Sequence, residues 1–185
     1  MRNILRKAIF AQLKKIALND ENEYIQIEDP EELDPAIKHF DLWNNQLETI
    51  EDECPFNLPA VFIEFVPIQW RHNLQGVREA EVTVNLHILV REVAPTKEGG
   101  QYEDQAFAFL ELPDAVNKAL HGLTGTGFDA LTSKTSVTDH YYSEIMHLQE
   151  SYSCHVSDSS AKKEPLTAPA TPQISVRLRP NQESS

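Results

Sequence analysis

EVTVNLHILVR, residues 81–91, sets Val82, Val84, Leu86, Ile88 and Val90 at every second position, between Glu81, Thr83, Asn85, His87, Leu89 and Arg91. Alternation at period two describes a strand with one face buried and the other turned to water or to a partner. The run is long for a strand and carries no catalytic motif. It points to a protein that builds a sheet and works through its surfaces, rather than to an enzyme built around a pocket.

The flanks extend this reading. Residues 60–66 (AVFIEFV) follow Pro55 and Pro59 and read as a strong strand. Residues 68–71 then lead through a turn over 73–76 into the long strand, which ends near 93, so the pair is a hairpin. Pro95, Gly99 and Gly100 mark a loop. A helix follows over about 103–121, with Phe109, Leu112, Val116, Ala119 and Leu120 as its apolar stripe. Pro113 kinks that helix or marks its restart, and Gly122 caps it. Gly125 and Gly127 lie in a loop without the GK[ST] of a phosphate cradle. Two more strands follow at 135–141 and 146–158. In the second, Met146, Leu148, Tyr152, Cys154 and Val156 share a face, with Glu150 as the exception.

Upstream, residues 2–17 read as a helix with Leu5, Ile9, Leu13 and Ile16 on one face and lysines and arginines on the other. Residues 18–32 are polar, are broken by Pro30, and read as a loop. Residues 36–43 (AIKHFDLW) read as a short strand, and 48–53 as a surface turn or one helical turn. Hairpins are many and long crossovers few. The expected class is α+β, an antiparallel sheet flanked by helices. No internal repeat is visible.

A chain of 185 residues suits one domain with a tail. After residue 158 the composition turns to Ser, Ala, Thr and Pro, which cannot bury enough apolar surface to fold alone. The expected division is a body over 1–158 and a disordered or extended tail over 159–185. Within the tail, Ile174, Val176 and Leu178 alternate with Ser175, Arg177 and Arg179. That strand-like motif either adds to the sheet edge of a neighbour or is incidental.

The formal net charge is −13 and is unevenly placed. Residues 1–18 carry Arg2, Arg6, Lys7, Lys14 and Lys15 and no acid, whereas 19–53 carry thirteen acids against Lys38 alone. So acidic a surface argues against general nucleic-acid binding, because phosphate affinity comes mainly from Lys and Arg. The acidic stretch is either a solvated face or one that repels DNA or meets a basic partner. No run approaches the roughly 20 apolar residues of a membrane-spanning helix. The amphipathic start lacks the apolar core and cleavage site of a signal peptide.

Cys54 and Cys154 make neither a disulfide framework nor a zinc site and read as small buried thiols. The seven histidines, His39, His72, His87, His121, His140, His147 and His155, are scattered without HExxH. Asp139, His140 and His147 come nearest to a constellation, and read as surface residues at a hairpin tip. No serine stands in GxSxG. The expectation is a non-enzyme with no cofactor and no metal. Trp43 and Trp70 lie in or beside strands, as core residues or as interface anchors. The polar side of the long strand, Glu81, Thr83, Asn85, His87 and Arg91, is either solvated or lines a lumen.

The order of an amphipathic helix, NLPAVFIEF, REAEVTVNLHILVRE, a helix closing in AVNKALHGL, and the pair TSVTDHYY and HLQESYSCHVSD resembles the tail-terminator, or head–tail joining, proteins of tailed bacteriophages and prophages, over residues 1–158. The acidic stretch 19–53 and the tail lie outside that pattern. The resemblance implies an α+β fold and a homo-oligomeric ring, usually a hexamer, that caps the tail tube and meets the head-completion or connector protein. DNA would pass its lumen without specific binding. It further implies the host cytoplasm during assembly, then the virion tail or neck, without a membrane. No catalytic residue comes with the family. A closed ring needs two different patches meeting head to tail. Trp43, Trp70, Glu81, Thr83, Asn85, His87, Arg91, Ile174, Val176 and Leu178 are the expected interface positions. The alternative is a monomeric acidic adaptor or assembly chaperone.

Overall fold

In the computed structural model the described residues are 1–31, 33–49, 55–72, 76–91, 110–139 and 145–162. Along the chain they form α1 (Arg2–Leu13), β1 (Ile16–Leu18), β2 (Tyr24–Gln26), β3 (His39–Leu42), a 3-10 turn (Gln46–Thr49), β4 (Ala60–Phe65), β5 (Arg71–His72), β6 (Arg78–Arg91), α2 (Glu111–Leu120), β7 (Thr132–Asp139) and β8 (Ile145–Asp158). The fold is mixed α and β with a mostly antiparallel sheet, the class expected from many hairpins and few long crossovers.

Strand β6 is the spine of that sheet. It pairs antiparallel with β8 from Arg78 opposite Asp158 to Arg91 opposite Ile145, and with β4 from Val84 opposite Phe65 to Leu89 opposite Ala60. The order is β3-β4-β6-β8-β7, with β5 pairing the start of β6. The expected hairpin is therefore present, though its turn at 73–75 lies outside the described residues. Strand β3 falls within the expected 36–43 but runs parallel to β4, the one parallel pair among the described strands.

One face of the sheet carries the main core. Val82, Val84, Leu86, Ile88 and Val90 of β6 are buried beside Val61 and Ile63 of β4 and Met146, Leu148, Tyr152, Cys154 and Val156 of β8. Helix α1 adds Leu5, Ile9, Phe10 and Leu13, and α2 adds Leu112, Val116, Ala119 and Leu120. Each fully buried Val, Leu or Ile contributes roughly 1.5–3 kcal/mol of apolar burial. Glu150 also points to this face and is buried. The Ser136 hydroxyl donates to its Oε1, while burial, ahead of the nearby Asp114 charge, pushes its carboxyl above the ordinary range.

Several element boundaries differ from expectation, among them the start of β7, at Thr132 rather than residue 135. Helix α1 stops at Leu13, and Ile16–Leu18 turns back as a strand on Tyr24–Gln26. The turn is stabilised by Asn19, whose side-chain oxygen accepts the Glu21 and Glu23 N–H groups at 3.0 and 2.8 Å, and by Asn22 at φ 62°; asparagine tolerates that left-handed geometry. Pro113 sits in the first turn of α2, where its missing N–H has no intrahelical acceptor to lose. Within Glu111–Leu120 it therefore marks a helix start, one of its two expected roles, while residues 103–109 of the expected helix, Phe109 among them, lie outside the described residues. The 3-10 turn spans Gln46–Thr49, starting two residues ahead of the surface turn expected at 48–53, of which residues 50–53 lie outside the described residues. Gly122 ends α2 as expected, at φ 82°, with its N–H donated to Leu131 O at 2.8 Å.

Candidate functional site

The opposite face of the sheet holds the polar positions of β6. Here Leu47, Ala60, Phe62 and Leu89 form a second, smaller apolar cluster with Trp43, Phe56, Leu58 and Ile145 packed against it. Leu89, which alternation put among the polar residues, is fully buried. Beside this cluster, cross-strand pairs bring together a set of polar side chains from four strands. Glu64 on β4 lies opposite Asn85, Asn85 opposite Ser151 on β8, and His147 on β8 opposite Asp139 at the end of β7. His87 lies diagonally between Glu64 and His147, within reach of both.

The contacts are continuous. Ser151 Oγ donates to Asn85 Oδ1 at 2.7 Å, and Asn85 Nδ2 donates to Glu64 Oε2 at 2.8 Å. His87 Nε2 lies 3.3 Å from the same carboxylate oxygen. The two imidazoles meet at 2.9 Å between His87 Nδ1 and His147 Nε2, and His147 Nδ1 reaches Asp139 Oδ2 at 3.4 Å. Trp43 lies flat on His87, with ring centroids 3.9 Å apart and planes 4° off parallel, and extends over His147 at 5.4 Å.

Local sequence places the indole there. The backbone N–H of Trp43 donates to Ile63 O at 2.9 Å, extending the β3–β4 pairing by one residue. Asn45, at φ 52°, then turns the chain. Gln46 closes the turn, accepting the Asn44 N–H at 2.8 Å and donating its amide to Leu42 O at 2.7 Å.

Electrostatics follow from this cover. His87 and His147 are 4% and 7% exposed. Burial pushes the His87 pKa down to about 4, against the opposing pull of Glu64, and lowers that of His147 as well. Glu64 is held below its ordinary range, first by the Asn85 hydrogen bond and then by its contact with His87.

The expected interface positions thus separate. Trp43, Asn85 and His87 come together in this cluster, and His87 is buried rather than solvated or facing a lumen. Thr83 is half-buried, and Glu81 and Arg91 are exposed. Trp70 lies elsewhere, partly buried against the main core, with the Arg78 guanidinium 4.3 Å from its ring centroid. Ile174, Val176 and Leu178 lie outside the described residues, as do Cys54 and His140. His147, read as a surface residue at a hairpin tip, is buried. Cys154 is a buried thiol whose pKa burial raises to about 11.

Glu64 and Ser151 are the members that sequence reasoning missed. Ser151 had no local signal; that of Glu64 was a lone acid inside the apolar run AVFIEFV. Among the described residues, no three His, Cys, Asp or Glu side chains are grouped so as to hold a metal, and no helix is long and apolar enough to cross a membrane. No protein-family model matches the chain, and no curated protein matches it at a significant level.

A second surface feature lies on α1. Arg6, Phe10 and Lys14 line a groove of about 540 Å³ with Pro35, Ile37 and Phe40. Lys7 and Lys15 line an adjoining hollow of about 490 Å³. Among the described residues no carboxylate forms an ion pair with Arg6, Lys7, Lys14 or Lys15.

Proposed function

We propose that the chain is a structural subunit of tailed-phage assembly, a tail terminator or head–tail joining protein that forms a ring on the end of the tail tube. The observation that carries this reading is the element order: an amphipathic helix, a strand, a hairpin into one dominant alternating strand, a second helix on the same face, and a closing strand pair. That is the order in which the resemblance to these proteins lies.

Two surface features support it. A ring subunit must present unlike patches that meet head to tail. This chain concentrates basic residues on the α1 groove while the whole molecule stays strongly acidic. Among the described residues strand β7 is also an edge of the sheet, with side chains exposed along most of its length, as strand addition by a neighbour requires. In this reading the partners are further copies, the tail tube protein and the head-completion protein, and DNA passes through the ring without sequence-specific contact.

The test is the mass of the purified 21.0 kDa chain by light scattering, alone and with tail tubes of the phage or prophage that carries it. A ring near six subunits in either condition is the expected result. A monomer that neither assembles nor binds tubes overturns the reading and favours the acidic adaptor.

A further inference from the structure

The His87–His147 pair ends in a carboxylate on each side, so the number of protons it holds decides how many of its contacts are made. Three contacts run in series: Glu64 to His87 at 3.3 Å, His87 to His147 at 2.9 Å, and His147 to Asp139 at 3.4 Å. With both carboxylates ionised, each contact needs one N–H. Two neutral imidazoles hold two N–H groups between them, so one contact is left as a pair of lone pairs facing each other. A third proton completes the series. A fourth would set two N–H groups head to head across the 2.9 Å gap.

We propose that Glu64, His87, His147 and Asp139 form a single site for one proton, whose binding ties the edge strand β7 through β8 and β6 to β4 beneath Trp43. The site takes its proton from solvent, and its charge goes from −2 to −1.

Its surroundings fix the conditions. β4 presents Glu64 and Phe62 to the pair. β8 presents Gln149 and Ser151, and β7 presents Val137 and Asp139. β6 itself adds Asn85 and Leu89, with exposed Glu81 and Arg91 further along the same face. Trp43 covers the rings, and His39 and Asp41 of β3 lie two strands from His87 on this face. Burial holds both imidazoles below their ordinary range, so the pair keeps two protons at neutral pH and takes the third in acid.

The two-proton state makes two of the three contacts in three arrangements. In one, His87 donates from Nε2 to Glu64 and His147 from Nδ1 to Asp139, which leaves two bare nitrogens facing across the 2.9 Å gap. The other two keep the central contact. Either both protons point toward Asp139, making each ring an Nδ1–H tautomer, or both point toward Glu64, making each an Nε2–H tautomer. Removing one carboxylate selects between them. The Glu64 and Asp139 side chains are 42% and 47% exposed, so Glu64→Ala and Asp139→Ala should fold, which thermal melting checks.

The experiment is nitrogen-15 NMR of the histidine rings in the full chain, with the two rings assigned from His87→Gln and His147→Gln. We expect Glu64→Ala to set both rings to Nδ1–H and Asp139→Ala to set both to Nε2–H, so that both rings differ in tautomer between the two variants. In the unaltered chain the two rings should share one titration, taking up one proton in total between about pH 7 and 4. A ring that keeps the same tautomer in both variants overturns the proposal. So do two independent one-proton titrations, which decide the matter even if a variant fails to fold.

Discussion

Replacing Tyr152 by Phe should make the protein more stable. Tyr152 is fully buried at the centre of β8, opposite Val84 and facing the helices. Among the described residues nothing hydrogen-bonds its hydroxyl, and burial raises its pKa well above the ordinary range. An unsatisfied buried hydroxyl costs about 1–3 kcal/mol of desolvation. Removing the oxygen leaves a void of about 20 Å³, which at about 24 cal/mol per Å³ costs about 0.5 kcal/mol. The difference is a net gain of about 0.5–2.5 kcal/mol. For a chain of this length that raises the melting temperature by about 2–4 °C per kcal/mol. Urea unfolding followed by far-ultraviolet circular dichroism measures it, with an unchanged slope showing that the unfolded state is not the cause. A loss of 1 kcal/mol or more on Tyr152→Phe would mean that the hydroxyl is bonded, and the reasoning would fail.

Three other outcomes are expected. His87 and His147 have folded-state pKa values below their unfolded values, so the unfolded chain takes up protons first. The stability they leave intact above about pH 6.5 falls as pH drops toward about 4, with a slope of up to about 1.4 kcal/mol per pH unit for each proton; urea midpoints at pH 7.5, 6 and 5 should show a shallower fall in His87→Gln. Arg78 donates Nε and Nη2 to Asp158 Oδ2 at 3.0 and 2.7 Å and covers Trp70. Because it is partly exposed, Arg78→Ala should cost only about 1 kcal/mol, read as a lower melting temperature. Ending the chain at Lys162 should leave the melting temperature unchanged, since the Ser-, Thr- and Pro-rich sequence that follows has little capacity to form a core; a fall of more than about 5 °C would contradict this.

The fold was legible where one physical signal dominated. Alternation at residues 81–91 gave the spine, because a strand buried on one face must repeat at two. The same rule gave β8 and even its exception, Glu150, without showing that a serine on β7 would receive it. It failed where sequence carries no record of pairing. Nothing local says that β3 runs parallel to β4, yet that pairing carries Trp43 onto His87. Nothing local joins His87 to His147, sixty positions away, because register is set by the whole sheet. Leu89 was misplaced for a related reason: period two assigns a face, but whether that face meets water depends on what the turn after β3 brings over it. Histidine is the residue for which this matters most. Its neutral form suits an apolar cover, and its charged form suits a carboxylate, and this face supplies both. A histidine in an alternating strand therefore reads as polar surface until its cross-strand neighbours are known. Here those neighbours are another imidazole, a carboxylate and an indole, and they turn a polar position into a buried, proton-dependent one.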